Sequence, residues 1–171
     1  MTNEAVTLEE KDETVTAELS EYELTHGKPI PNYNHAAIQG ELLFALKSQY
    51  RQEYSVLPEF TVKFGDKKYT PDISIYEKRS VDYQAVIKDF SEAPLTVIEI
   101  MSPSQTMETF DEKFDAYFAA GVKSCWFVQS YFETIFVLLP NHNVSVFHAN
   151  TLTDPTNGIS LDLAQVFGTN P

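Results

Sequence analysis

One stretch, residues 95–129, constrains the fold more than any other part of the chain. It opens with an apolar run, residues 95–101, that is short enough to be a strand buried on both faces. A single carboxylate, Glu99, interrupts the run. An unpaired carboxylate inside a protein is costly, so we expect Glu99 to be neutral, paired with a cation or bound to a metal.

A helix and a second strand are predicted after this strand. Ser102, Pro103 and Gln105 form a capping-box pattern with proline at the first helical position. Apolar side chains then recur at helical spacing as far as Gly121, which is typical of a helix end. Residues 122–129 are predicted to be a strand. Strand, helix and strand in so short a stretch indicate a right-handed crossover between two parallel neighbours.

The composition indicates one ordinary globular domain. The chain has 171 residues, and its 43% hydrophobic and 13% aromatic content excludes a disordered protein. It has no apolar run near the ~20 residues that span a bilayer and no secretory leader pattern. The one cysteine, Cys125, cannot form an internal disulfide, and we expect it to be inert core packing. We therefore expect a cytoplasmic protein with no membrane partner.

The charge is strongly negative but unevenly distributed. The formal net charge is -13, which disfavours nucleic-acid binding because polyanion binding depends on Lys and Arg. Residues 1–23 hold eight acidic residues and one basic residue, a net of -7, which leaves -6 for the rest. We predict that residues 1–16 are an acidic, mobile tail and that residues 17–171 form a single domain. Basic residues cluster at Lys63, Lys67, Lys68, Lys78 and Arg79, although such a group is also typical of ordinary solvated surface.

The rest of the chain alternates between strand and helix patterns. Residues 35–50 form an amphipathic helix, and we expect this helix to cover a sheet. Its apolar face consists of Ala36, Ile38, Leu42, Leu43, Leu46 and Tyr50. Residues 69–76 alternate as a strand, which places Asp72 in mid-strand on the more polar face. The other expected elements are an edge strand at 21–24, a strand at 56–64 with a hairpin turn at 65–68, an excursion of at most two helical turns at 77–93, antiparallel strands at 134–139 and 144–148, and a short helix at the end of 159–167.

Asp72, Glu99 and Lys113 are expected to meet at one place in this arrangement. Two carboxylates completed by a backbone carbonyl and water suit Mg²⁺ or Mn²⁺, which keep several waters and take few protein carboxylates. A nearby lysine can orient a water or neutralise charge developing on a phosphate. The alternative is an ordinary set of ion pairs with an exposed lysine.

A set of short motifs in a fixed order resembles one known family. The pattern covers about residues 20–165 and resembles the Uma family of restriction-endonuclease-like proteins, in the PD-(D/E)XK nuclease superfamily. Its parts are Tyr22-Glu23-Leu24 with Gly27, His35-Ala36-Ala37-Ile38 with Leu42 and Leu46, Pro71-Asp72, residues 97–104, Lys113 with Tyr117, Gly121-Val122 and residues 125–128.

The resemblance implies a fold of the α/β (α+β) class, with a restriction-endonuclease-like core of a mixed β-sheet flanked by helices. It also implies that Asp72, Glu99 and the carbonyl oxygen of Ile100 bind a divalent metal, Mg²⁺ or Mn²⁺. The superfamily lysine two residues after the strand carboxylate is absent, since Met101 stands there. The Uma pattern has this lysine in the following helix, where Lys113 lies. Gln129-Ser130 stands where the family usually has an aspartate after the Trp-containing strand.

Three further residues are candidates for a supporting role. His35 could position substrate, Glu41 could join the metal shell and Tyr117 could orient Lys113, although each also suits a structural role. His35 and Glu41 are six residues apart and so do not share a helix face.

Two functions from different classes are consistent with the sequence. The first is a Mg²⁺-dependent endonuclease that hydrolyses DNA phosphodiester bonds, with Asp72, Glu99 and Lys113 as catalytic residues. The second is a non-catalytic binding or regulatory protein that retains the nuclease fold. A nuclease of this charge needs a local basic groove, which a homodimer could provide.

Overall fold

The computed structural model describes residues 32–86, 90–102 and 105–168. The described residues lie in a single compact unit. The predicted tail and the edge strand at 21–24 lie outside the described residues. The helices are α1 Tyr33–Tyr50, α2 Met107–Ala120 and α3 Leu163–Phe167. The strands are β1 Tyr54–Pro58, β2 Val62–Phe64, β3 Lys67–Tyr69, β4 Ile73–Glu77, β5 Thr96–Ile100, β6 Ser124–Gln129, β7 Thr134–Leu138, β8 Val144–His148, β9 Thr151–Thr153 and β10 Ser160–Asp162.

Six of the described strands form one mixed sheet in the order β1-β4-β5-β6-β7-β8. Strands β5 and β6 are parallel and α2 connects them, whereas each of the other neighbouring pairs is antiparallel. Parallel neighbours need a crossover, and the strand, helix and strand predicted at residues 95–129 supply it. The expected mixed sheet flanked by helices is confirmed.

The alternation of side chains along β5 divides the core into two layers. Ile98 and Ile100 pack with α1, whereas Val97 packs with α2. Successive side chains of a strand point to opposite faces, so Glu99 faces α2 with Val97. Both layers are apolar. The α1 layer includes Leu42, Leu46, Trp126 and Val128, and the α2 layer includes Phe110, Phe114, Tyr117, Cys125 and Phe127.

Helix α1 is where the sequence pattern predicts it, and its buried face is the expected one except that His35 takes the place of Ala36. Ala36 is exposed and His35 is buried with Leu42 and Leu46. These three residues are seven and four positions apart, which places them on one face. Asn32 caps the helix, because its side-chain oxygen accepts a hydrogen bond from the His35 backbone N–H at 2.9 Å. The cap therefore also fixes the backbone of the buried histidine.

Helix α2 begins later than predicted. Its N-cap is Thr106, so the prediction of a start at Ser102 is wrong. Gln105 instead closes a separate turn, since its side chain accepts a hydrogen bond from the Ser102 N–H at 3.1 Å and its own N–H donates to the Ser102 carbonyl at 3.0 Å. The predicted end is confirmed: Gly121 has a φ of 105°, a left-handed conformation that glycine adopts without strain.

The two long strands predicted at 56–64 and 69–76 are each divided in two. Strands β1 and β4 pair in the main sheet, whereas β2 and β3 form a separate hairpin around the predicted turn at Gly65. Glu59, with a φ of 48°, turns the chain out of the main sheet. The chain re-enters it at Asp72, which therefore precedes β4 and is not in mid-strand as predicted.

The remaining predictions concern the loops and the C-terminal part. The described residues between β4 and β5 include no helix, so the helical turns considered for 77–93 are absent there. The antiparallel strands β7 and β8 and the short helix α3 are confirmed. The hairpin of β9 and β10 and the 3-10 helix Ser130–Phe132 were not predicted. Across the described ranges, no helix has the length and apolarity needed to cross a bilayer.

Candidate active site

Asp72 is buried at the point where the chain enters β4. Ile73 of β4 is paired with Ile98 of β5. Because the two strands are antiparallel, the residue before Ile73, which is Asp72, lies opposite the residue after Ile98, which is Glu99. The Ile100 backbone N–H donates a 2.7 Å hydrogen bond to Asp72 Oδ2. Strand pairing and this bond therefore hold the two carboxylates together, as the sequence predicts.

Glu99 is bonded by two side chains from α2. Lys113 Nζ donates to Glu99 Oε2 at 3.1 Å, and the Tyr117 hydroxyl donates to Glu99 Oε1 at 2.6 Å. Lys113 and Tyr117 are four residues apart and so share one face of the helix. Only 3% of the Glu99 side chain is exposed, against 22% for Lys113. The lysine is therefore the member of this group that reaches solvent.

Opposing influences act on the acidity of Glu99. Burial raises the pKa of Glu99 above its ordinary value, the Lys113 charge lowers it and the Asp72 charge raises it, while the Tyr117 hydrogen bond lowers it. Burial and then the Glu99 charge raise the pKa of Tyr117 well above its ordinary value. Tyr117 consequently keeps its proton and serves Glu99 as a donor.

His35 and Gln39 of α1 hold Asp72 from the other side. His35 Nε2 lies 3.2 Å from Asp72 Oδ2, and both side chains are buried. His35 Nδ1 is buried without a hydrogen-bond partner in the described part of the chain. Gln39 Nε2 donates to the Asp72 backbone carbonyl at 2.9 Å and to Glu59 Oε1 at 3.1 Å. Gln39 was missed, although its position one helical turn after His35 places both on the same face.

Glu41 lies apart from the buried group. It is exposed on α1, whereas His35 is buried on the same helix. A separation of six residues turns Glu41 away from the face that carries His35 and Gln39. The structure thus brings together Asp72, Glu99, Lys113, Tyr117 and His35 with the backbone of Ile100, and leaves Glu41 at the surface.

The basic cluster noted in the sequence divides into two parts. Arg79 lies over the rings of Tyr76 and Phe90, at 5.4 and 5.5 Å from their centroids, and pairs with Glu92. Three lysines lie on the β2–β3 hairpin, which packs on α2 through ring contacts of Phe64 and Tyr69 with Tyr117. The hairpin lysines are Lys63, Lys67 and Lys68. The hairpin that carries them packs against Tyr117, which is hydrogen-bonded to Glu99.

The donor set fits a hard divalent cation. Asp72 and Glu99 supply carboxylate oxygens, the ligand type that Mg²⁺ and Mn²⁺ prefer, and the Asp72 charge disfavours charge on Glu99. A cation between the two would relieve this repulsion. Among the described residues no three His, Cys, Asp or Glu side chains converge on one metal position. Two carboxylates completed by water are compatible with Mg²⁺ or Mn²⁺, which keep several waters.

Comparison with known proteins identifies the family of the chain and a similar fold. The family model of Uma2, described as "Putative restriction endonuclease", matches residues 4–165. The chain belongs to the Uma2 family. Its structure is similar to the crystal structure of a putative nuclease belonging to DUF820 from Anabaena variabilis, with a TM-score of 0.71 and 25% identity over 82% of this chain and 84% of that one. No protein with a curated description matches. The predicted family and the nuclease-like fold of this Uma2 protein are thus confirmed.

Proposed function

We propose that this Uma2 protein is an endonuclease that hydrolyses DNA with Mg²⁺ or Mn²⁺ bound by Asp72 and Glu99. One observation carries the proposal: two buried carboxylates meet at one end of β5, and a partly exposed lysine is bonded to one of them. The match to a family described as putative restriction endonucleases supports the reaction class. The backbone carbonyl of Ile100 is the third proposed metal ligand, as the family resemblance implies, and the N–H of the same residue donates to Asp72.

Some of these side chains would hold the metal or its ligands in place, and Lys113 would take part in the reaction. When bound, the metal would polarise the phosphodiester and lower the pKa of a water molecule. Lys113, fixed 3.1 Å from Glu99 Oε2 and open to solvent, is placed to orient the attacking water or to stabilise negative charge on a phosphate oxygen. Tyr117 and His35 are positioning residues, since each contacts a carboxylate and locks its rotamer. The net reaction adds one water across a P–O bond and leaves one phosphomonoester end and one hydroxyl end.

The β2–β3 hairpin supports DNA as the substrate. Lys63, Lys67 and Lys68 place three positive charges on the element that packs against Tyr117, within a chain whose net charge is -13. Phosphate contacts by lysine supply most of the non-specific affinity for DNA. The hairpin is therefore the proposed contact for the DNA backbone on the α2 side of the site.

The acidic surface of α2 supports the second candidate function, a non-catalytic binding or regulatory protein. Four exposed acidic residues surround the single basic residue of this helix, and they oppose the approach of a polyanion to Lys113. They are Glu108, Asp111, Glu112 and Asp115. A homodimer that adds a second set of hairpin lysines would offset this repulsion, and light scattering on the purified protein measures whether it forms.

Metal binding and cleavage together test the proposal. Isothermal titration with Mn²⁺ should show binding that Asp72→Ala and Glu99→Ala each weaken about tenfold or more, the size expected for loss of a ligand. Release of acid-soluble fragments from single- and double-stranded DNA should require Mg²⁺ or Mn²⁺ and should be lost in both variants. Glu112→Gln, which changes an exposed α2 carboxylate one residue from Lys113, is the matched control; it should retain Mn²⁺ binding and cleave DNA at least as fast as wild type. Metal binding without cleavage of either substrate would instead favour the binding protein.

A further inference from the structure

A cleft of about 570 Å³ opens at the same edge of the sheet as the carboxylate pair. Its walls are the first turns of α1, the chain following β5, the 3-10 helix after β6 and Phe167 of α3. This volume lies within the range of ordinary small-molecule sites, about 300–1,000 Å³. The cleft does not include Asp72, Glu99 or Lys113.

The cleft is joined to the candidate active site through neighbouring residues. Met101 lines it, and Ile100, which precedes Met101, donates its N–H to Asp72. Asn34 lines it on the other side, and His35, which follows Asn34, lies against Asp72. A molecule in the cleft would therefore lie beside the group that holds Asp72.

Two exposed aromatic rings stand on the rim. Tyr131 is 91% exposed and Phe132 is 61% exposed, and their centroids are 4.9 Å apart in an edge-to-face arrangement. Neighbouring exposed rings at a concave surface are typical of a binding site, because aromatic faces supply contact area with little loss of side-chain entropy. The rings suit a flat partner.

The charge of the lining disfavours a phosphate as the occupant. Of the described residues that line the cleft, none is Lys or Arg and only Glu133 is charged. The polar lining is otherwise amide and hydroxyl, from Asn34, Gln129 and Ser130 among others. Amides offer both a donor and an acceptor, which match the hydrogen-bonding edge of a neutral heterocycle. Ala37, Ile38 and Met101 make the rest of the lining largely apolar. The occupant should thus be flat and uncharged, with apolar faces and a hydrogen-bonding edge.

We infer that the cleft binds an unpaired nucleobase of the DNA substrate, with Tyr131 stacked on the base and Asn34 and Gln129 facing its edge. The inference rests on the proposed function, because it takes DNA to be the substrate. The base would lie on the α1 side of the site, and the lysines of the β2–β3 hairpin would contact the DNA backbone on the α2 side. The phosphodiester between these two contacts would then lie near Asp72 and Glu99. The unpaired base can come from a single strand or from a nucleotide turned out of a duplex.

Binding to strands with and without bases tests this inference independently of cleavage. Fluorescence anisotropy in EDTA should show that wild-type protein binds a labelled 12-nucleotide single strand more tightly than a strand of the same length made of abasic sugar-phosphate units. Tyr131→Ala should weaken binding of the normal strand by about 5- to 100-fold, as for loss of a base-stacking aromatic, and leave the abasic strand unchanged. Tyr83→Ala is the matched control, since Tyr83 is 92% exposed and outside the cleft, and should change neither.

A second pair of substrates identifies the source of the base. Tighter binding to a 12-base-pair duplex with a central mismatch than to a fully paired one, lost in Tyr131→Ala, would support a base turned out of a duplex. Preference for the single strand alone would support a single-stranded substrate. The inference is overturned if wild-type protein binds no strand, or if Tyr131→Ala has no effect or weakens normal and abasic strands equally. Base-dependent binding in a protein that cleaves no DNA would uphold the cleft and refute the proposed catalysis.

Discussion

The Tyr117 hydroxyl donates a 2.6 Å hydrogen bond to Glu99 Oε1 from one helical turn beyond Lys113, which binds the other oxygen of the same carboxylate. The spacing of four residues along α2 thus satisfies both oxygens of a buried glutamate from one helix face. A tyrosine that was expected to orient the lysine bonds directly to the carboxylate. The hydrogen bonding and the acidity of Glu99 therefore depend on α2.

Tyr117→Phe tests this dependence. The substitution keeps the ring in the core and removes one hydrogen bond to a buried charged group, so unfolding free energy should fall by about 1.5–3 kcal/mol. Urea denaturation measures the change. Tyr83→Phe, an exposed tyrosine, should alter stability by less than about 0.5 kcal/mol. Equal stability of wild type and Tyr117→Phe would show that the bond to Glu99 contributes nothing net.

Lys113→Met separates a catalytic lysine from a purely structural one. An ammonium group cannot coordinate a metal, so Mn²⁺ affinity measured by titration should be kept or slightly improved. The cleavage rate should fall by a factor of about 10² to 10⁴ if Lys113 assists the attacking water or stabilises phosphate charge. Lys113→Arg should rescue poorly, because a guanidinium has a different shape and does not give up its proton.

The same variant has a structural consequence that must be measured alongside. Removing Lys113 leaves Glu99 buried without its cation and should cost stability, by about 1–3 kcal/mol since the lysine is partly exposed. Urea denaturation of the cleavage samples measures it. Loss of stability with an unchanged cleavage rate would contradict the role proposed for Lys113.

The candidate site could be predicted from the sequence because its residues interrupt regular patterns. Glu99 breaks an apolar strand, and Lys113 and Tyr117 follow at helical spacing on the crossover helix. Periodicity also predicts α1, α2 and the parallel pair β5 and β6, since each buries one face along its length. Strand alternation places Asp72 on a polar face, and the Uma resemblance adds its expected role as a metal ligand beside Glu99.

Two kinds of feature could not be predicted from the sequence. They are local backbone conformations that are unusual for the residue type and contacts between residues far apart in the chain. The break after β1 depends on a non-glycine residue, Glu59, in the left-handed region, where sequence gives little signal. The start of α2 at Met107 follows from the turn that Gln105 closes with Ser102. The hydrogen bond from Gln39 to Asp72 joins residues 33 positions apart, so only the packing of α1 against the sheet produces it.

The acidic N-terminal segment provides a prediction outside the described residues. Residues 1–16 carry no apolar periodicity, and deleting them should change the free energy of unfolding by less than about 1 kcal/mol. Thermal and urea denaturation of the shortened protein measure the effect. A large fall in melting temperature would show that the segment packs on the domain.

A third buried carboxylate among the described residues, Asp154, is predicted to be essential for stability but not for catalysis. It is fully buried, and its Oδ2 accepts hydrogen bonds from Ser124 at 2.5 Å and from Trp126 Nε1 at 2.7 Å, while Oδ1 accepts from the Thr156 N–H at 2.8 Å. Ser124 begins β6, whereas Glu99 is near the end of the parallel strand β5, so the two carboxylates lie toward opposite ends of the sheet. Asp154 therefore anchors the loop between β9 and β10 to the far end of the central strands.

Asp154→Ala leaves several buried donors without a partner and should cost about 3 kcal/mol or more, at roughly 1–3 kcal/mol for each unsatisfied group. Asp162→Ala is the comparison, because Asp162 is an exposed N-cap of α3 and its loss should cost only about 0.5–2 kcal/mol. Urea denaturation of both variants gives the difference. Mn²⁺ affinity of the folded Asp154→Ala protein should equal that of wild type, since the two ends of β5 and β6 are separated by the packed core. A weakened Mn²⁺ site in a fully folded variant would show that the Asp154 network also positions Glu99.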